Sequence, residues 1–217
     1  MKEIDIETWN RKTTYEWFNS FTDSTYSVTV KMNITKLVKI TKETKSSFFA
    51  NMLYVVVLGL NSIPEMRMRM YNGKPVIFDD INPAITVMTK DGIFTNARFK
   101  NNKDYRVFYK SCRECVDCAY NNEYKSEYNP ENTYNEYYIT CLPWLNFESV
   151  THPMPDDKHS QCVPRVAWGK YYKVDDKYWI SLNITVSHIF VDGYPLSCCF
   201  NKIQELFDNI DLSLIHI

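Results

Sequence analysis

From Tyr26 to Met32 the side chains alternate between polar and apolar, the pattern of a strand with one buried face. Trp179, Ile180, Leu182, Ile184 and Val186 form a second, more apolar run that predicts a strand ending at Ser187-His188. Before these, Trp9 to Ser20 reads as a helix with Trp9, Tyr15, Trp17 and Phe18 as its large side chains. Asn33 or Thr35 can cap a helix running to about Thr44, and Ser46 or Ser47 a longer one through Leu58. Pro64 opens a helical turn over Glu65 to Arg69.

The pattern then changes to strands. Tyr71-Asn72-Gly73-Lys74 predicts a turn, Pro75 to Phe78 a short strand, and Ala84 to Thr89 another. Asp104 to Tyr120 returns to helical spacing, whereas Asn121 to Asn135 is polar, tyrosine-rich and read as a loop. Tyr137 to Thr140 predicts a strand stopping before Leu142-Pro143-Trp144, and Thr151 to Gln161 a loop. Val163 to Lys173 and Lys177 to Ser187 pair as strands across Asp175-Asp176, and Leu196 to Ile210 forms a last helix before an apolar tail, Leu212 to Ile217. Strands and helices do not alternate regularly, so the expectation is one mixed α+β domain over residues 1–217. No repeat, linker or phosphate-loop motif interrupts it.

Composition narrows the picture only slightly. A 45% hydrophobic fraction excludes a disordered chain, and a net charge of -1 gives no drive toward nucleic acid or an anionic membrane. Twelve Phe, sixteen Tyr and five Trp suit a strand-rich core, an interface or a lined pocket equally. Met1 to Thr14 is charged and polar, unlike a signal peptide, and Ser47 to Leu60 is too short to span a bilayer. Cytoplasm is therefore the expected location. The seven cysteines do not suggest a disulfide framework there.

Candidate chemistry centres on Ser187-His188-Ile189-Phe190-Val191-Asp192-Gly193. A neutral imidazole at the end of a strand can take a proton from a hydroxyl near pH 7, or simply serve as a hydrogen-bonded core residue. Asp192 is expected to support the site without touching the imidazole, because Gly193 lets the chain bend away. His152 and His159 fall in a polar loop and His216 in the tail. Cys112, Cys115 and Cys118 lack a fourth ligand and read as small hydrophobes on roughly one side of a helix, so no metal is expected. No HExxH, G-x-S-x-G or glycosidase-like carboxylate pair occurs. Arg11, among aromatics on the first helix, can pair with a remote carboxylate or stay solvated.

These segments together resemble the chloramphenicol acetyltransferase family, and the resemblance covers nearly the whole chain. It is carried by Trp9-Asn10-Arg11-Lys12, Pro64-Glu65-Met66-Arg67-Met68, Leu142-Pro143-Trp144-Leu145-Asn146-Phe147, Gly169-Lys170-Tyr171-Tyr172, the His188 motif and Asn201 to Leu206. HxxxDG alone is shared with other CoA-dependent acyltransferases; its order with the arginine and the Pro-Trp element is more specific. The resemblance implies a single-domain acyltransferase sandwich, a mixed sheet covered by helices, assembled as a homotrimer with active sites at subunit boundaries. It implies acetyl-CoA as co-substrate, no metal, and a small alcohol, chloramphenicol, as acceptor.

By the same resemblance His188 is the general base, Asp192 pairs with Arg11, and Thr140 stands where the family has an oxyanion-binding serine. Tyr171 and Trp144 match positions that contact CoA, while Phe18, Ser24, Tyr26 and Ala167 match the acceptor pocket. Ala167 and Ser24 depart from the family's threonine and cysteine, and Ser187 from its first histidine. These departures leave two other readings open: an O-acetyltransferase for a different hydroxylated compound, or a trimeric binding protein with a degenerate site.

Overall fold

The computed structural model describes residues 1–125 and 134–210. Residues 126–133 of the expected polar loop, and the apolar tail beyond Ile210, lie outside the described residues. In chain order the elements are β1 (Lys2–Glu3), α1 (Lys12–Asn19), β2 (Thr25–Asn33), α2 (Thr35–Thr44) and α3 (Phe48–Ser62). After a 3-10 turn at Pro64–Arg67 come β3 (Met68–Tyr71), β4 (Lys74–Ile77), β5 (Asn82–Met88), β6 (Phe94–Arg98) and α4 (Tyr105–Tyr120). The remainder is β7 (Glu136–Leu142), α5 (Lys158–Gln161), β8 (Arg165–Gly169), β9 (Tyr172–Val174), β10 (Lys177–Ser187) and α6 (Gly193–Asn209).

The main sheet runs β2-β10-β8-β7-β5-β6, with β9 paired to β10. β7 is parallel to both β5 and β8, and the other pairs are antiparallel, so the α+β expectation of a mixed sheet holds. Strand alternation gives this sheet two different faces. Tyr137, Ile139, Val166, Trp168, Leu182 and Ile184 point into the core. Their neighbours Thr140, Ala167, Asn183 and Thr185 occupy the opposite, mostly polar face. The segment after β7 covers part of that face: Ser181 Oγ donates to the Phe147 carbonyl at 2.5 Å, and Asn183 Nδ2 to that of Val150 at 3.3 Å.

Helix α3 is the centre of the apolar layer, packing against α2, α4 and α6. The Ser47 hydroxyl caps it by accepting from the Ala50 N–H, as Asp104 caps α4 through Arg106 and Val107. Asn51, fully buried on α3, is satisfied by Thr41, Ser46 and Tyr105. The predicted turn after β3 has Asn72 and Gly73 at φ 49° and 75°, the left-handed pair of a tight hairpin.

Several boundaries differ from the expectation. Met68 and Arg69 belong to β3 instead of a helix, and the small β1-β4-β3 sheet holds them. The expected strand Val163 to Lys173 breaks after Gly169, where the Lys170 N–H turns to the Leu145 carbonyl at 2.6 Å. Helix α5 lies inside a predicted loop, and α6 begins at Gly193, a turn earlier than Leu196. Cys112 and Cys115 are buried, with burial pushing their thiols up to about 12 and about 11, but Cys118 faces solvent and does not share their side. Among the described residues no helix is long and apolar enough to cross a membrane.

Candidate active site

The end of β10 delivers His188 into a tight turn, in which the Phe190 and Val191 N–H groups return to the Ser187 carbonyl at 3.2 and 3.0 Å. That turn corrects the expectation for Asp192. Instead of bending away, the chain places Asp192 Oδ1 3.0 Å from His188 Nδ1. The carboxylate also pairs with Arg11, whose Nη1 reaches Oδ2 and whose Nη2 lies 3.1 Å from Oδ1. Arg11 is thus an ion-pair partner and not a solvated surface residue. A Nδ1–H donated to Asp192 fixes the tautomer that leaves the Nε2 lone pair available as a base.

Aromatic rings hold the imidazole plane. Phe18 stacks on it at 3.9 Å and 12°, and the Tyr26 ring lies 4.8 Å away. The Tyr26 hydroxyl donates to the Val191 carbonyl at 3.2 Å, and burial pushes its pKa up to about 12, with Asp192 adding to the rise. Ser24 lies beneath: its carbonyl accepts from the His188 N–H at 2.8 Å, and its hydroxyl bonds Ser187 Oγ at 2.9 Å. Being 5% exposed, Ser24 anchors the turn and presents little surface to a ligand. The His188 side chain keeps 31% of its surface, so one side of the ring is open.

Thr140 occupies a second region, on the polar sheet face. Its Oγ1 lies 2.7 Å from Thr86 Oγ1 on β5. If Thr86 donates, Thr140 has its own proton to aim at an oxyanion. A cavity of about 410 Å³ opens beside this pair, lined by Thr140, Thr86, Tyr138, Arg165, Arg98 and His152 among others. A second cavity of about 310 Å³ lies where the ends of β5 and β7 meet α3 and α4. Phe48, Phe49, Pro143, Trp144 and Trp168 make it largely apolar, and Thr86 lines both spaces. Tyr171 packs on Phe48 at 5.0 Å, behind that wall. Ala167 neighbours Thr140 in register but is fully buried under the covering segment.

Within one chain the two regions stay apart. Thr140 is level with Ala167, and Ala167 with Asn183, five residues short of His188. Five residues along a strand and two strand spacings across give roughly 19 Å between the Cα atoms. No single small substrate group can touch both side chains over that span. Arg11, Asp192, Phe18, Tyr26 and Ser24 gather around His188; Thr140 and Ala167 stand together elsewhere, with Trp144 at the adjoining cavity.

Four residues with chemistry in reach of Thr140 carry no motif. Thr86 and Arg98 come from strands distant in sequence, Arg165 opens β8, and His152 sits in the loop whose histidine looked dispensable. Period-2 alternation places Thr86 and Arg165 on the polar face, but only strand register reveals that the face is shared. Burial, and then the Arg165 charge, lower the pKa of His152. Among the described residues, no cluster of His, Cys, Asp or Glu could hold a metal ion.

A family model for chloramphenicol acetyltransferase matches residues 1–204. A chloramphenicol acetyltransferase of Proteus mirabilis is 31% identical over 206 residues, covering 94% of each chain. One from Escherichia coli is 30% identical over 207 residues, covering 94% of this chain and 93% of its own. A solved chloramphenicol acetyltransferase structure superposes with a TM-score of 0.86 at 27% identity, spanning 95% of this chain and all of that one. With the family model matching residues 1–204 and relatives of 30–31% identity covering 94% of its length, the chain belongs to the chloramphenicol acetyltransferase family.

Proposed function

We propose that the protein is an acetyl-CoA-dependent O-acetyltransferase that acetylates a hydroxyl of chloramphenicol, working as a homotrimer with sites between subunits. The observation that carries this reading is the imidazole held by Asp192, Phe18 and Tyr26, with 31% of its side-chain surface exposed. The roughly 19 Å separation from Thr140 supports an intersubunit site, in which His188 of one chain meets Thr140 of the next.

The chemistry follows from the residues. His188 Nε2 accepts the acceptor's hydroxyl proton as the oxygen attacks the thioester carbon, an acceleration of roughly 10²–10⁴-fold. Asp192 stabilises the imidazolium that forms, and Arg11 holds Asp192 in place. Negative charge gathers on the former carbonyl oxygen, where the Thr140 hydroxyl can donate. Collapse breaks the C–S bond, and the imidazolium returns its proton to the departing CoA thiolate. The apolar cavity at Phe48, Phe49 and Trp144 fits an extended thioester arm, with Tyr171 buttressing Phe48.

Thiol release from acetyl-CoA with chloramphenicol, wild type beside His188→Ala, tests the reaction. A loss of at least 10²-fold is expected, and equal release by both proteins refutes it. Mixing tests the interface. His188→Ala and Thr140→Val chains, each inactive, should regain about a quarter of wild-type activity after co-refolding, the random share of intact sites in a closed ring. No recovery in mixed oligomers counts against the intersubunit site.

A further inference from the structure

The cavity beside Thr140 has an unusual electrostatic character for a space beside a developing oxyanion. Two guanidinium groups, Arg98 and Arg165, line it together with His152. Glu136 answers one of these charges, its Oε1 lying 3.2 Å from Arg98 Nε. Arg165 has no such answer. Its Nη1 donates to the carbonyls of Ser160 and Val163, both at 3.1 Å, and its guanidinium lies over the Tyr138 ring at 5.5 Å. Among the described residues no carboxylate comes within 4.0 Å of it. Burial lowers its pKa, the sign of a charge held away from water, and Asp157 and Asp23 act on it only from a distance. The neighbouring His152 has a buried Nε2 with no hydrogen-bond partner among the described residues.

Cost and geometry both favour an anion here. A desolvated guanidinium with spare N–H groups gains most from a planar or tetrahedral oxyanion, which takes two donors at once. Tyr138 and Arg165 face one another across β7 and β8, two residues from the Thr140–Ala167 pair. Along and across the sheet, that puts the Arg165 Cα about 8 Å from the Thr140 Cα, on the face that lines the same cavity. Tyr138 supplies an aromatic wall of the cavity beneath that guanidinium.

Building on the acetyl-transfer reading above, we propose that this cavity selects acceptors carrying an anionic group, a carboxylate or phosphate, at the end remote from the reacting hydroxyl, with Arg165 as the specificity-determining residue. The transfer itself is unchanged: the hydroxyl's proton goes to His188, its oxygen bonds the acetyl carbon, and the C–S bond to CoA breaks. Chloramphenicol carries an uncharged nitro group, which offers a guanidinium a poorer acceptor than a carboxylate of equal shape.

The decisive comparison uses matched alcohols. 4-(2-Hydroxyethyl)benzoate and 2-(4-nitrophenyl)ethanol differ mainly in charge, and both carry the distinguishing group para to the hydroxyethyl arm. A phosphate arm compares 4-(2-hydroxyethyl)phenyl phosphate with 4-(2-hydroxyethyl)phenol. In thiol-release assays on the intact protein, kcat/KM should favour at least one anion over its neutral partner by about 10-fold or more. Arg165→Gln should bring that ratio toward one, and Arg165→Lys should restore part of it. Calorimetric titration of the same four compounds reads binding without turnover, and should show the same preference and the same loss.

Equal or better use of both neutral alcohols by the wild type overturns the proposal while leaving acetyl transfer intact. So does a preference that survives Arg165→Gln. If no alcohol is acetylated, the acetyl-transfer reading fails, and calorimetry then decides this one: neither anion binding more tightly than its neutral partner overturns it. Far-ultraviolet circular dichroism of both Arg165 variants separates a specificity change from misfolding.

Discussion

Replacing Thr140 by Val removes one hydroxyl and leaves the shape of β7 nearly unchanged. If that hydroxyl stabilises the oxyanion, its loss costs about 10²–10³ in kcat, the range for one preorganised donor. KM for acetyl-CoA should stay within about 3-fold, because the bond develops in the transition state and not on binding. Thr86 acts differently. Its hydroxyl, 2.7 Å from that of Thr140, orients that donor and stands one step back from the oxyanion. Thr86→Val should therefore cost about 5-fold, the worth of a hydrogen bond near 1 kcal/mol. The two effects should not add: in the Thr140→Val background, Thr86→Val should change kcat by less than about 2-fold. Steady-state thiol release on the four proteins completes the cycle, with Thr140→Ser expected to retain activity. Wild-type kcat in Thr140→Val refutes the oxyanion role, and full additivity refutes the positioning role of Thr86.

Other perturbations address the scaffold. Phe18→Leu removes the ring stacked on His188 at 3.9 Å, and should lower kcat by about 3- to 10-fold with little change in the acetyl-CoA KM. Burial raises Glu136 from its ordinary 4.5 to about 7, with the Arg98 charge opposing. The folded state thus favours the protonated acid, so this contribution is complete below pH 4.5 and is lost as pH rises through about 7. Glu136→Gln should flatten the fall of Tm across that window; an unchanged slope in calorimetry counts against it. Gly169→Ala places a Cβ 2.5 Å from the Leu145 carbonyl, and should lower stability by about 1–3 kcal/mol in urea unfolding. A wild-type midpoint would mean that the covering segment yields freely.

Where local chemistry sets the structure, the sequence was informative. Ser47 caps the helix expected of it, the helical spacing from Asp104 to Tyr120 gives α4, and the alternation in β2 and β10 gives the right faces. Strand β6 escaped notice because only Ala97 of Phe94–Arg98 is buried, a pattern too polar to announce a strand. Its partners are supplied by β5, and its open face by the cavity. The His188 half of the site was legible because its residues lie in recognisable motifs. The Asp192–imidazole bond depends on how tightly the chain turns after Ser187, which spacing does not fix. Arg165, Arg98 and His152 were harder still, since they meet only after four strands and a covering loop have found their register.

Thr86 stands at the boundary between the two cavities, and this divides the protein's capacity to change. On the proposed reading, side chains facing the apolar space can change toward other acyl donors while the polar space keeps its acceptor. Arg98 and Asn96 lie on β6, the outermost strand of the sheet in this chain, where substitutions leave the register of β7 untouched. A lineage could therefore exchange one alcohol for another by mutation at the periphery, carrying the hydroxyl pair and its imidazole along unaltered.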